Sequence, residues 1–126
     1  MFSFADICAL VEMAGTYRMP NGWSVVIRAD WVDASVNRPH GLSYALVLKD
    51  ECGNRLLGFD NSHPYDGAPE DEPFDHEHRP GKIGQRLRYS VVSMSNLITD
   101  FFARCETYCR AIGVAFEFEE EASDDL

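Results

Sequence analysis

Apolar residues along this chain follow two rhythms, every third or fourth position near both ends and every second position in between. Near the N-terminus, Phe4, Ile7, Cys8 and Val11 keep helical spacing. Ser3 stands where an N-cap would accept a backbone N–H, Asp6 lies in the first turn, and Gly15 ends the pattern, so a short helix is predicted. After the turn signal "PNG", Trp23, Val25, Ile27, Ala29 and Trp31 alternate with Ser24, Arg28 and Asp30, which predicts a strand with one buried face. A loop around Pro39 and Gly41 leads to a second strand, "LSYALVLK", and the turn "DECGN" leads to a third, "RLLGFD". Residues 61–73 hold three prolines, one glycine and four acids, and read as an exposed excursion. The chain returns through "FDHEH", turns at "RPGKIGQ", and continues as a strand, "RLRYSVV", in which Leu87, Tyr89 and Val91 alternate.

The broadest apolar stripe comes last. Ser95 is placed to cap a helix in which Leu97, Ile98, Phe101, Phe102, Cys105, Tyr108, Cys109 and Ile112 share one face, with Gly113 as its stop. Such a face needs a sheet to cover it. The expected fold is therefore α+β: a twisted antiparallel sheet of four to five strands, with the 95–112 helix packed across one face and the short N-terminal helix at an edge. The opposite face carries Arg28, Ser43, Lys49 and Arg88, and the histidines are candidates to join them. With 126 residues the chain is one domain's worth, expected over 1–116. Residues 117–126 form an acidic tail expected to be disordered, although Phe116 and Phe118 are apolar enough to dock as an edge strand or on a partner.

Charge and cysteines narrow the setting. The net charge is −10, yet six of the acids lie in the last ten residues, so residues 1–116 carry 15 acids against 11 bases, a net of −4. Between Arg79 and Thr99 there are four bases (Arg79, Lys82, Arg86, Arg88) and no acid, a strip able to hold phosphate or simply to face water. No apolar run approaches the roughly 20 residues of a membrane span. The N-terminus lacks the basic region of a signal peptide, so no membrane and a cytoplasmic address are expected. In that compartment Cys8, Cys52, Cys105 and Cys109, whose spacing fits no zinc signature, are expected to be reduced core residues.

The chemistry is concentrated in "LLGFDNSHPYDGAPEDEPFDHEHRPGKI", residues 56–83, which contain three of the four histidines. On a strand, His76 and His78 point to one face, about 6 to 7 Å apart at the backbone, while Asp75 and Glu77 point to the other. Two such imidazoles can share a divalent metal ion, with Asp60 or His63 as the third ligand. Equally, His76 and His78 can form a proton-transfer pair with Asp60 and His63 beside them. Arg79, Arg88, Lys82 and Asn61 would then hold a phosphate, which is the equipment of a metal-free ribonuclease. In a third reading these residues are structural: Asp60 and Asn61 bind turn amides, His63 and His76 pair with carboxylates, and His40 seals a loop. One distance separates the last reading from the others, because Asp60 more than about 8 Å from both rings would leave no site. Neither a Gly-rich phosphate loop nor a nucleophile elbow is present, so no cofactor is expected beyond a divalent metal at His76 and His78 in the first reading.

Five motifs in order, "RPHG" at 38–41, "YALVL" at 44–48, "GFDNSH" at 58–63, "FDHEH" at 74–78 and "LITDFF" at 97–102, resemble the TumE family of small bacterial proteins over Trp23 to Cys109. The resemblance implies a toxin-like component of a type II toxin–antitoxin pair, with a helix-turn-helix antitoxin-like partner. It implies no catalytic set. Departures from the family pattern are the N-terminal helix, the acidic excursion at 64–73 and the acidic tail, which would repel RNA if they lay near the site. The function expected is that of a TumE-like toxin or toxin-derived protein acting on RNA through the histidine cluster. The alternatives are a non-catalytic module that binds a helix-turn-helix protein, and a small metal-binding protein.

Overall fold

A computed structural model describes residues 3–119. In chain order the elements are α1 (Phe4–Glu12), β1 (Gly15–Arg18), β2 (Ser24–Trp31), β3 (Leu42–Lys49), β4 (Arg55–Asp60), β5 (His76–Arg79), β6 (Lys82–Arg88) and α2 (Met94–Ala111). The strands form one sheet in the order β1-β2-β3-β4-β5-β6, every pair antiparallel. Short connections between most strands favour such a meander, since each strand pairs with the one before it. None of the described helices is long and apolar enough to cross a membrane.

Alternation decides what each face of the sheet carries. Val25 and Ile27 of β2, Tyr44, Leu46 and Leu48 of β3, and Leu57 and Phe59 of β4 are buried against α1 and α2. From α1 come Ile7 and Leu10, and from α2 come Met94, Leu97, Phe101, Cys105 and Cys109. Large side chains buried in this way contribute about 2 kcal/mol each, enough to hold both helices on the sheet. The opposite face takes the other parity, Arg28, Ala45, Asp60, His76 and Arg88, which form one cross-strand row.

Several expectations are corrected. There are six strands rather than four to five, because Gly15–Arg18 pairs with β2. That strand has a single apolar residue facing the core side, Tyr17, too little for a period to show. The turn expected across "RPGKIGQ" is confined to Pro80 and Gly81, and β6 begins at Lys82 and ends at Arg88. Proline followed by a glycine at φ 74° suits a type II turn, so two residues suffice. Helix α2 is capped by Ser93, whose hydroxyl accepts from the Asn96 N–H, and not by Ser95. Ser95 lies inside the first turn, near the Asp6 carboxylate that receives the Met94 N–H at 2.8 Å.

Of the cysteines, Cys105 and Cys109 are core residues, but Cys8 is half-buried and Cys52 is exposed in the β3–β4 turn; all four are free. Val114 to Glu119 follow α2 without forming a strand. Phe118 packs on Tyr17 and Phe102, Phe116 packs on Phe102, and the Glu119 N–H donates to the Arg18 carbonyl. The rest of the expected acidic tail, 120–126, lies outside the described residues.

Candidate functional site

Pairing of β4 with β5 sets Asp60 opposite His76 and Gly58 opposite His78. The period-two geometry of "DHEH" does the rest. His76 and His78 project from the face away from α2, while Glu77 between them turns toward α2 and meets Arg104 at 3.0 Å. The Asp60 carboxylate thus lies between two imidazoles, with Oδ1 2.7 Å from His76 Nε2 and Oδ2 3.2 Å from His78 Nε2. All three residues are buried, with exposures of 7% for Asp60, 1% for His76 and 7% for His78. At these distances the carboxylate touches both rings, far inside the separation that would have left them unrelated.

Backbone carbonyls orient the rings. His76 Nδ1 is 2.6 Å from the Phe74 carbonyl oxygen, and His78 Nδ1 is 2.6 Å from that of Ile83. A carbonyl oxygen only accepts, so each Nδ1 is assigned the proton and each neutral ring presents an Nε2 lone pair to Asp60. His76 Nε2, although 2.7 Å from Oδ1, lacks the alignment of a hydrogen bond to any described group. The carboxylate is fixed from its other side, because Oδ1 accepts from the Ser62 N–H at 3.2 Å and from its hydroxyl at 3.1 Å. Burial by itself would raise the Asp60 pKa. In their protonated forms His76, 2.7 Å from Oδ1, and His78, together with the Ser62 amide, outweigh it and hold the carboxyl well below the usual range.

This cluster forms one wall of a cavity of about 250 Å³ that also takes in Arg55, Ser62, His63, Ile83, Gly84 and Arg86. Four residues singled out as catalytic in the sequence, Asp60, His63, His76 and His78, therefore share one cavity, with His63 exposed. The four expected to hold a phosphate do not line it. Arg79 faces Glu77 at 3.7 Å, Arg88 faces Glu72 at 3.4 Å, and Lys82 is exposed at the start of β6. Asn61 is fully buried: its Oδ1 accepts from the Tyr44 N–H and its Nδ2 donates to the Leu42 carbonyl. That side chain pins the start of β3 and anchors the chain just before Ser62 and His63.

The cations at the cavity are Arg55 and Arg86. Arg86 belonged to the basic strip, but Arg55 was missed for a physical reason. Simple alternation would put Arg55 on the helix side with Leu57 and Phe59. The register shifts by one residue between Leu48↔Leu57 and Lys49↔Arg55, and this bulge turns Arg55 to the cavity side. A one-residue slip of this kind leaves no mark in composition.

A second cavity, of about 290 Å³, lies against His40, Glu72, Asp75, Arg88 and Tyr89. Burial raises the Asp75 pKa, and the Tyr44 hydroxyl donates to Asp75 at 2.5 Å. Burial also lowers that of His40. Its arginine already faces Glu72. The first cavity is the better candidate because its carboxylate, imidazoles and cations are directed at one volume.

No curated protein and no solved structure gives a match. A family model described as Toxin TumE matches residues 23–109, a span that runs from the residue before β2 to the last turns of α2 and contains every residue lining the first cavity. With most of its length and its whole candidate site inside that match, the chain belongs to the TumE toxin family.

Proposed function

We propose that this member of a toxin family acts on RNA, cleaving a phosphodiester in the cavity of Asp60, His63, His76 and His78. One observation carries the reading: a buried ionised carboxylate between two imidazoles lies in the same cavity as a third histidine and two arginines. Arg55 and Arg86 grip the non-bridging phosphate oxygens, a task suited to the guanidinium fork. His63 takes the proton of the 2′-hydroxyl as that oxygen attacks phosphorus. The bond to the 5′-oxygen breaks, and that oxygen takes a proton from water held against Asp60, His76 and His78. His63 returns its proton to the hydroxide so formed, leaving a cyclic phosphate and a 5′-hydroxyl.

Expression of the chain alone should slow bacterial growth, and purified protein should cut RNA to fragments with 5′-hydroxyl ends. The paired change His76→Ala with His78→Ala should abolish both, and Arg55→Ala should weaken cleavage. Equal growth arrest by wild type and the folded double variant would remove the histidines from the mechanism.

A toxin family member is expected to have an antitoxin, and we read that partner as a helix-turn-helix protein. The exposed aromatic pair Phe4 and Trp31, stacked at 5.7 Å, favours a second reading in which protein binding is the whole activity. That reading expects no RNA cleavage and co-purification with the partner that Trp31→Ala disrupts.

A further inference from the structure

We infer that Asp60, His76 and His78 are the three protein ligands of a divalent first-row transition-metal ion. The inference deepens the RNA reading and rests on the same cavity, but its test reads the ion and not the activity. The starting observation is a mismatch of hydrogen-bonding roles. Each Nδ1 donates to a carbonyl oxygen, so the neutral imidazoles aim lone pairs at a carboxylate that can only accept; one added proton would serve the His78 Nε2 contact with Asp60 Oδ2 and leave His76 Nε2 without a partner. Three Lewis-basic groups then face one another in a buried place. Protonating both rings would instead put two imidazolium ions, 4.9 Å apart between centroids, against one carboxylate. A cation between them gives every lone pair a partner at once.

The geometry fits such an ion. Ligand atoms of the three residues all lie within 4.8 Å of one another, and the two carboxylate contacts are 2.7 and 3.2 Å. Tetrahedral bonds of about 2.0 to 2.1 Å set ligands about 3.3 Å apart, slightly more than the two carboxylate contacts and inside the 4.8 Å limit, so small side-chain rotations would seat the ion. The unaligned His76 Nε2 is accounted for, since its lone pair would point at the ion and not along a hydrogen bond to Oδ1. Outer partners are in place as well. The Phe74 and Ile83 carbonyls set the tautomer, and Ser62 holds Oδ1, which is how ligating histidines and carboxylates are ordinarily oriented. Two imidazoles and one carboxylate suit Zn²⁺, Mn²⁺, Fe²⁺ or Co²⁺, and the adjoining cavity leaves positions for water or a phosphate oxygen. The water that protonates the departing oxygen would then be a ligand of this ion.

The experiment uses untagged protein stripped with a chelator and titrated with ZnCl₂, MnCl₂ and CoCl₂. One ion per chain is expected, with a rise in melting temperature and a visible Co²⁺ absorption band. Imidazole ¹H–¹⁵N spectra of the wild type should show both Nε2 signals moving on Zn²⁺ addition while both Nδ1–H signals persist. The folded variants His78→Gln and Asp60→Asn should lose at least about 100-fold in affinity, since even outer-sphere partners are worth roughly 10- to 100-fold. His40→Gln should bind as wild type does. Folded wild-type protein that takes up none of these ions, or whose His76 and His78 signals stay put on Zn²⁺ addition, overturns the inference. A bound ion without RNA cleavage would leave the metal site standing and remove the RNA reading. Cleavage by the stripped protein would keep the RNA reading and remove the ion from its chemistry, while the uptake titration alone decides the site.

Discussion

Asp60 concentrates the electrostatics of this protein in one side chain. Its folded pKa lies below the ordinary carboxylate value, so its contribution to stability is fully present above about pH 4 and is lost as pH falls from there toward the folded value. Asp60→Asn should therefore cost about 3 kcal/mol near neutral pH, the scale of a broken buried pair. The gap to wild type should narrow as pH drops below about 4, which urea unfolding across that range would measure. A gap that widened in acid would contradict the assignment. Gly58 tests the same neighbourhood by shape, because a Cβ there would sit 2.6 Å from the Leu46 carbonyl oxygen. Gly58→Ala should lower stability by about 2 kcal/mol through overpacking of the backbone opposite His78, seen as a drop in melting temperature.

Among the elements, α2 shows how a local signal and a distant one combine. Ser93 satisfies the Asn96 N–H, whereas the Met94 N–H is satisfied by Asp6 from α1, 88 positions earlier in the chain. Ser93→Ala and Asp6→Ala should each cost about 1 kcal/mol, and thermal unfolding of the single variants would test it. Asp6→Asn should cost less than Asp6→Ala, since an amide oxygen still accepts and only the favourable charge at a helix N-terminus is lost. The apolar stripe over Leu97, Phe101, Cys105 and Cys109 identified this helix from spacing alone, as alternation identified β2 and β3. It could not choose between two serines two residues apart, because the choice depended on where α1 delivered a carboxylate.

At the scale of the molecule, the layers separate stability from chemistry. One face of the sheet and both helices enclose the apolar core, and the cavity lies on the other face, so the core can be altered without touching a residue that lines the cavity. Helix α1 lies before the stretch matched by the family model, yet Leu10 is fully buried and Ile7 nearly so. Leu10→Ala should cost about 3 kcal/mol by leaving a void in the core. Any loss of toxicity that followed should track the fraction unfolded, with metal uptake and RNA cleavage per folded molecule unchanged. An activity loss without a stability loss would place α1 in the functional machinery instead.

The sequence by itself determined the α+β class, the helical and stranded stretches with strong periodicity, and the shared direction of His76 and His78, because period and side-chain direction are local properties of the backbone. Tertiary structure alone decided which partners these histidines meet. Asp60 reaches them through the register of β4 on β5, an alignment across fifteen intervening residues that no local spacing encodes. Arg55 joins the cavity through a bulge, while Arg88 and Arg79 face carboxylates elsewhere, which balance charges the sequence showed as a bare strip. The residue types of a site can be read along a chain, whereas its centre is defined only where separate strands converge.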